Sequence, residues 1–160
     1  AWLADQYRDS GRYDEAMAEA EETLALNPEY PVAWMTLGFS YIALGRFDEA
    51  IAAHKHLESS PFWSWVPAAT LLRTGRVSDV EEAKASIASI RTNVFTDTLL
   101  HGAAGEHDET LALLRKNRDA RIPWYPWLLT WFEETKFLHA DPELRALADE
   151  IGIPMPEPDA

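Results

Sequence analysis

The sequence predicts an all-α protein: an α-α superhelix built from antiparallel helical hairpins and closed by a C-terminal capping helix. Three observations carry the prediction. A block of residues returns at a fixed displacement of 34 positions, apolar residues recur at three- and four-residue spacing, and Gly or Pro stands wherever a helix has to turn or stop. Gly11-Arg12-Tyr13-Asp14-Glu15-Ala16 reappears as Gly45-Arg46-Phe47-Asp48-Glu49-Ala50, and the same shift carries Leu3 to Leu37 and Tyr7 to Tyr41. Self-similarity at such a period marks stacked units, each too small to bury its apolar face alone.

The elements follow in order. Repeat 1 spans 1–28 and repeat 2 spans 29–60. Leu3 and Tyr7, then Trp34, Leu37 and Tyr41, lie on one helical face each. Ala4, Gly38, Ala16 and Ala50 are small enough for paired helices to approach closely, and Gly11 and Gly45 supply the turns within the hairpins. Asp14-Glu15 and Asp48-Glu49 fall in the first turn of each second helix, where negative charge offsets the helix dipole. Asn27-Pro28 and Pro31 end one hairpin and open the next.

Residues 34–50 (Trp34-x2-Leu37-Gly38-x2-Tyr41, then Gly45 and Ala50), with Asn27-Pro28 closing the first copy, carry the pattern of a tetratricopeptide repeat, and the chain resembles that family over residues 1–60. Weaker copies continue at Gly75-Arg76-Val77-Ser78-Asp79-Val80 and at Gly105-Glu106-His107-Asp108-Glu109-Thr110. They place degenerate hairpin 3 at 61–91 and degenerate hairpin 4 at 92–120. The first helices are expected over about 62–73 and 93–102, and the second to about Ile90 and Arg118. Pro67 either kinks the third hairpin's first helix or marks its true start.

The stretch 121–154 reads as an aromatic segment and cap. Ile122-Pro123-Trp124-Tyr125-Pro126-Trp127 leads into a helix reaching about Phe137. Asp141 then caps a last helix with Pro142 at its first position and Leu144, Leu147 and Ile151 as its apolar stripe. Residues 1–154 are expected to form one domain, with 155–160 frayed. The sequence from Trp127 to Pro154 also resembles the tails of bacterial multidomain signalling proteins, in which repeats of this kind follow a cyclase, winged-helix or kinase domain.

The composition excludes several classes. The 160 residues are 47% hydrophobic, enough for a real core, and their net charge of −13 argues against a general grip on nucleic acid. Residues 1–60 hold 4 basic and 11 acidic side chains. The absence of cysteine removes disulfide, Fe–S and thiol chemistry. No apolar run approaches the roughly 20 residues that span a bilayer. The chain opens on Ala1 with neither an initiator Met nor a signal peptide and so reads as a mature or excised piece, with any targeting information upstream; a cytoplasmic setting is expected, or a periplasmic one where such targeting exists.

His54 and His56 stand about 200° apart on a helix and do not share one ion; His54 falls in the hairpin seam, where a packed ring is expected. His101, His107 and Asp108 are the one set from which an enzyme site can be assembled, but their spacing matches no catalytic or metal motif. No cofactor and no metal are expected. Arg115, Lys116, Arg118 and Arg121 end a helix, where cations offset exposed carbonyls. Glu19, Glu21 and Glu22 read as a solvated face. Among the seven tryptophans, Trp34 belongs to its repeat, Trp2 sits off the repeat register, and Trp63, Trp65, Trp124, Trp127 and Trp131 divide between core, cap and interface.

The resemblance implies a non-enzymatic module for protein–protein interaction, with a concave face lined by the first helix of each hairpin. It places there Val32, Met35, Phe39 and Ile42 from repeat 2, Phe62, Trp65, Ala69 and Leu72 from hairpin 3, and Asp5, Arg8 and Asp9 from repeat 1. The expected groove is apolar and aromatic with an acidic rim, suited to a helix or extended peptide that carries apolar anchors and some basic residues. The positions at which the family places Lys, Arg and Asn to clamp an acidic chaperone C-terminus are apolar or acidic here, so that ligand is not expected. Self-association, through the apolar face or the open N-terminal end, dimerising an attached output domain, is the alternative. Return of the Trp124–Trp131 segment into the groove is a third.

Overall fold

The structure, a computed structural model, describes residues 2–87, 90, 93–130 and 132–155, without the side chains of Trp2 and Glu133. Among the described residues there is no strand. The chain forms two compact units, Ala1–Ile90 and Arg91–Ala160. Unit 1 holds α1 (Trp2–Asp9), α2 (Tyr13–Leu26), α3 (Pro31–Ala43), α4 (Phe47–Lys55), α5 (Val66–Arg73) and α6 (Val80–Ser86). Unit 2 holds α7 (Val94–Ala103), α8 (His107–Asp119), α9 (Tyr125–Thr130), a 3₁₀ helix (Glu133–Leu138) and α10 (Pro142–Glu150).

The predicted all-α class of stacked hairpins is the one observed. In unit 1 each helix packs on the next in chain order, and α3 also touches α1. The core holds Ala4, Met17, Ala20, Ala33, Leu37 and Ala53, with Leu24, Tyr30, Trp34 and Tyr41 packed around it. Alanine at so many contact points lets the helix axes come close, so stability comes from near approach as much as from large side chains. Trp34 sits at the rim, its Nε1 donating to the Pro28 carbonyl at 2.8 Å and its ring stacked 3.8 Å from that of His56.

The recurring Gly-Arg block has a definite geometry. Gly45 takes φ +72°, its N–H donates to the Ile42 carbonyl at 3.0 Å, and the Arg46 N–H reaches back to Tyr41 at 2.8 Å. That is the glycine-terminated close of a helix, and only a residue without Cβ enters this region at little cost. The turns at Gly11, Gly75 and Gly105 repeat the same bond pair. Neither α2 nor α4 has a side-chain N-cap. Instead Arg12 and Arg46 pair with Glu15 and Glu49 three residues on, while their guanidinium groups lie 4.4 and 4.5 Å from the Tyr7 and Tyr41 rings. The repeated Tyr, Gly, Arg and Glu are therefore one local unit that ties each helix end to the next helix start.

Three boundaries differ from expectation. Helix α5 begins at Val66 rather than near Phe62, with Pro67 in its first turn, because proline lacks the N–H that an interior position requires. Helix α6 ends at Ser86, short of Ile90, and 88–89 lie outside the described residues. The aromatic segment is not one helix to Phe137: α9 ends at Thr130 and the 3₁₀ helix takes over at Glu133. Gly102 of α7 makes room for this change, since a Cβ there would lie 2.3 Å from the Glu134 carbonyl oxygen. The Thr135 hydroxyl fastens the 3₁₀ turn to the Leu128 carbonyl at 2.6 Å. Asp141 caps α10 as expected, accepting from the Glu143 and Leu144 N–H groups at 2.7 and 3.3 Å.

Candidate interaction surface

The residues singled out for partner binding lie on α1, α3 and α5 and in the segment just before α5, and the structure divides them. Val32, Phe39, Ile42 and Leu72 are half-buried, and Phe62 and Asp9 are exposed. Met35, Trp65, Ala69 and Asp5 are buried and present no surface to a partner, which corrects their assignment. Trp65 precedes the late start of α5 and so falls out of the helical register that would have turned it outward. Ala69 is buried within α5. Met35 lies inward, and its carbonyl lies 3.1 Å from His54 Nε2. The Asp5 carboxylate turns toward α3, accepts from the Thr36 hydroxyl at 2.7 Å and pairs with Arg8 at 3.1 Å. Burial raises its pKa above the usual carboxylate value in spite of Arg8 and Thr36.

Phe39 is the centre of the face. The Arg8 guanidinium from α1 and the Arg73 guanidinium from α5 each lie 5.6 Å from its ring centroid. Arg8 also holds Asp9 through two bonds of 2.8 and 3.1 Å. The middle of the surface is thus aromatic and cationic, where the resemblance implied an apolar and aromatic groove with an acidic rim. Arg73 was missed by sequence reasoning. The signal was its position four residues after Ala69, on the same helical face, obscured by its place in the last turn of a helix.

Beneath Phe39 lies His54, fully buried, its ring edge-on to that of Phe39 at 4.9 Å. Its Nε2 lies 3.1 Å from the Met35 carbonyl and its Nδ1 2.5 Å from the Thr70 hydroxyl. A carbonyl only accepts, which assigns the proton of the neutral ring to Nε2 and leaves Nδ1 to accept from Thr70. Burial pushes the His54 pKa down to about 4, against the pull of the Met35 carbonyl and helped by the nearby charges of Arg73 and Arg8. The packed-seam reading of His54 is the one observed.

The remaining titratable candidates sit in unit 2. His101 Nδ1 bonds Glu106 at 2.5 Å, whereas His107 bonds Asp108 at 3.0 Å and Asp141 at 2.8 Å, so the two histidines face different carboxylates. Among the described residues no group of three metal-ligating side chains is placed to hold an ion. Of the basic cluster, Arg115 pairs with Glu143, and Arg118 pairs with Asp119 and Glu150 at 3.0 and 2.9 Å. Its anionic partners are therefore side chains of α10 as well as helix-end groups. Trp124 and Trp127 are exposed with ring centroids 4.8 Å apart; Trp131 lies outside the described residues. Among the described residues no helix is long and apolar enough to cross a membrane.

Stacked antiparallel hairpins with this turn geometry and this small-residue core define a helical-repeat arrangement. Residues 7–58, from the end of α1 to just beyond α4, match the tetratricopeptide repeat family. Comparisons with curated proteins and with solved structures return no match. Repeats of this family generally mediate protein–protein interaction.

Proposed function

We propose that unit 1 is a non-catalytic interaction module that binds a peptide or helix of a partner protein along α1, α3 and α5, and that the chain as a whole serves as the C-terminal part of a larger bacterial regulator. The observation that carries this reading is the cluster on α3 and α5: Val32, Phe39, Ile42 and Leu72 keep part of their apolar surface in solvent, beside exposed Phe62. Arg8 and Arg73 flank Phe39 and supply polar recognition at the centre of that strip. Exposed apolar and aromatic groups bordered by arginine are the usual make-up of an interface centre. The resemblance of residues 127–154 to the tails of bacterial regulators supports the wider setting.

Selection of peptides from a random display library on the wild-type protein, followed by anisotropy titration of the selected sequences, tests the proposal. Ile42→Glu and Phe62→Glu are expected to weaken binding at least tenfold, while Trp127→Ala in unit 2 leaves it unchanged. Selected peptides that bind both Glu variants as well as wild type would overturn the assignment of this face. A concentration-dependent mass by light scattering, lost in Ile42→Glu, would instead make a second copy the occupant.

A further inference from the structure

Unit 2 carries an arrangement that the interaction surface does not use. Helix α10 rests on α8 and α9 through Leu144, Leu147 and Ala148, all buried. Along one edge, cations or potential cations of α8 meet acids of α10 and its cap: His107 with Asp141, Arg115 with Glu143, Arg118 with Glu150. Two of these pairs join arginine to a carboxylate. The first joins histidine to one.

The His107 ring lies between two carboxylates, with Nδ1 3.0 Å from Asp108 and Nε2 2.8 Å from Asp141. A carboxylate only accepts, so both ring nitrogens donate only when the imidazole is protonated. A neutral ring turns one lone pair toward an acid. Asp141 is in turn the N-cap of α10, its Oδ1 bonded to two backbone N–H groups while its Oδ2 takes His107. One carboxylate thus both starts α10 and straps it to α8. The charged groups facing the ring are Asp108 from its own helix and Asp141 from the start of α10; neighbouring Glu106 is engaged by His101, and Glu143 by Arg115.

We propose that His107 is a proton-dependent latch on the C-terminal helix: the protonated ring bridges Asp108 and Asp141 and holds the start of α10 on α8, and loss of its proton frees that end. Hydrogen bonds to Asp108 and Asp141 raise the ring's pKa above the ordinary value of 6.5. A group raised on folding stabilises the folded form fully below its unfolded value and loses that effect as pH climbs through the raised one. The hold on α10 is therefore full in mildly acid solution and falls away on the alkaline side of 6.5. Asp141 continues to cap α10 in both states, so its start loosens while Arg115 and Arg118 keep the remainder in place.

Hydrogen exchange of residues 142–150, read by mass spectrometry from pH 5.5 to 8.5 and corrected for the intrinsic rate, tests the latch in the full chain. Wild type is expected to lose protection by roughly 1.5- to 5-fold across the range, the scale of an exposed ion pair. His107→Gln is expected to be flat and at the less protected level. His107→Lys, charged throughout, is expected to be flat at the more protected level, and His101→Gln to behave as wild type. Wild-type protection that does not change with pH, or the same change persisting in His107→Gln, would overturn the proposal.

Discussion

Gly38→Ala tests the packing logic of unit 1 most sharply. On an isolated helix this exchange is favourable, because alanine is preferred over glycine by ~1 kcal/mol. In this protein a Cβ on residue 38 would sit 2.0 Å from Nε2 and 2.1 Å from Cδ2 of His54. Those distances are far inside van der Waals contact, and His54 is fully buried, held by Met35 and Thr70. Either the imidazole leaves its seat or α3 and α4 move apart. Overpacking of a tight core costs about 1–3 kcal/mol. Stranding the buried partners of the displaced ring costs a further 1–3 or so. After the helix-propensity gain the net loss centres on about 3 kcal/mol. Urea unfolding followed by circular dichroism at pH 7 measures it, and a double-mutant cycle isolates the cause. In a His54→Ala background the obstructing ring is gone, so Gly38→Ala is expected to be neutral or to stabilise by up to ~1 kcal/mol. A single variant within about 0.5 kcal/mol of wild type, or an equal loss in both backgrounds, would refute the reasoning.

Further outcomes follow from the same residues and from unit 2. With its pKa pushed down to about 4, His54 stays neutral in the fold while an unfolded histidine takes up a proton below about 6.5. Stability is therefore lost as pH falls, by about 3 kcal/mol between pH 7 and pH 4; urea midpoints of His54→Gln compared with wild type are expected to lack that contribution. Arg121 occupies the left-handed turn after α8 with φ 52°, the place glycine holds after α1, α3, α5 and α7. Arg121→Gly is thus expected to stabilise unit 2 by about 0.5–1 kcal/mol in thermal unfolding, and a lower melting temperature would contradict this. Asn93 accepts from the Phe95 and Thr96 N–H groups at 2.9 and 3.1 Å, and Thr96 returns a bond to the Asn93 N–H at 2.9 Å. Asn93→Ala is expected to cost about 1 kcal/mol and Asn93→Asp little, as measured by chemical denaturation.

Much of the fold was legible because its determinants are local. The 34-residue recurrence, the glycines at the hairpin turns and the Asp141-Pro142 start each act within a few residues of themselves, and they produced the expected turns and caps. Proline placed the start of α5 through the same local chemistry, once its exclusion from helix interiors was given full weight. The site was legible only in outline. α1, α3 and α5 were recognisable as the helices that line a face, but one residue turns the side chain by about 100° on a helix, and the crossing of neighbouring helices decides which positions are covered. Thus Val32, Phe39 and Ile42 retain exposure whereas Met35, Ala69 and Asp5 do not.

By itself, then, the sequence determined the hairpin turns at Gly11, Gly45, Gly75 and Gly105 and the start of α10 at Asp141-Pro142, because glycine geometry and capping are settled between near neighbours. The tertiary structure alone decided the contacts between residues far apart in the chain. It set His54 against Gly38 and Thr70, brought Arg8 and Arg73 to the two sides of Phe39, and joined His107 to Asp141 across 34 positions. Such contacts depend on the distance and angle at which whole helices pack, and no short window of residues contains that information.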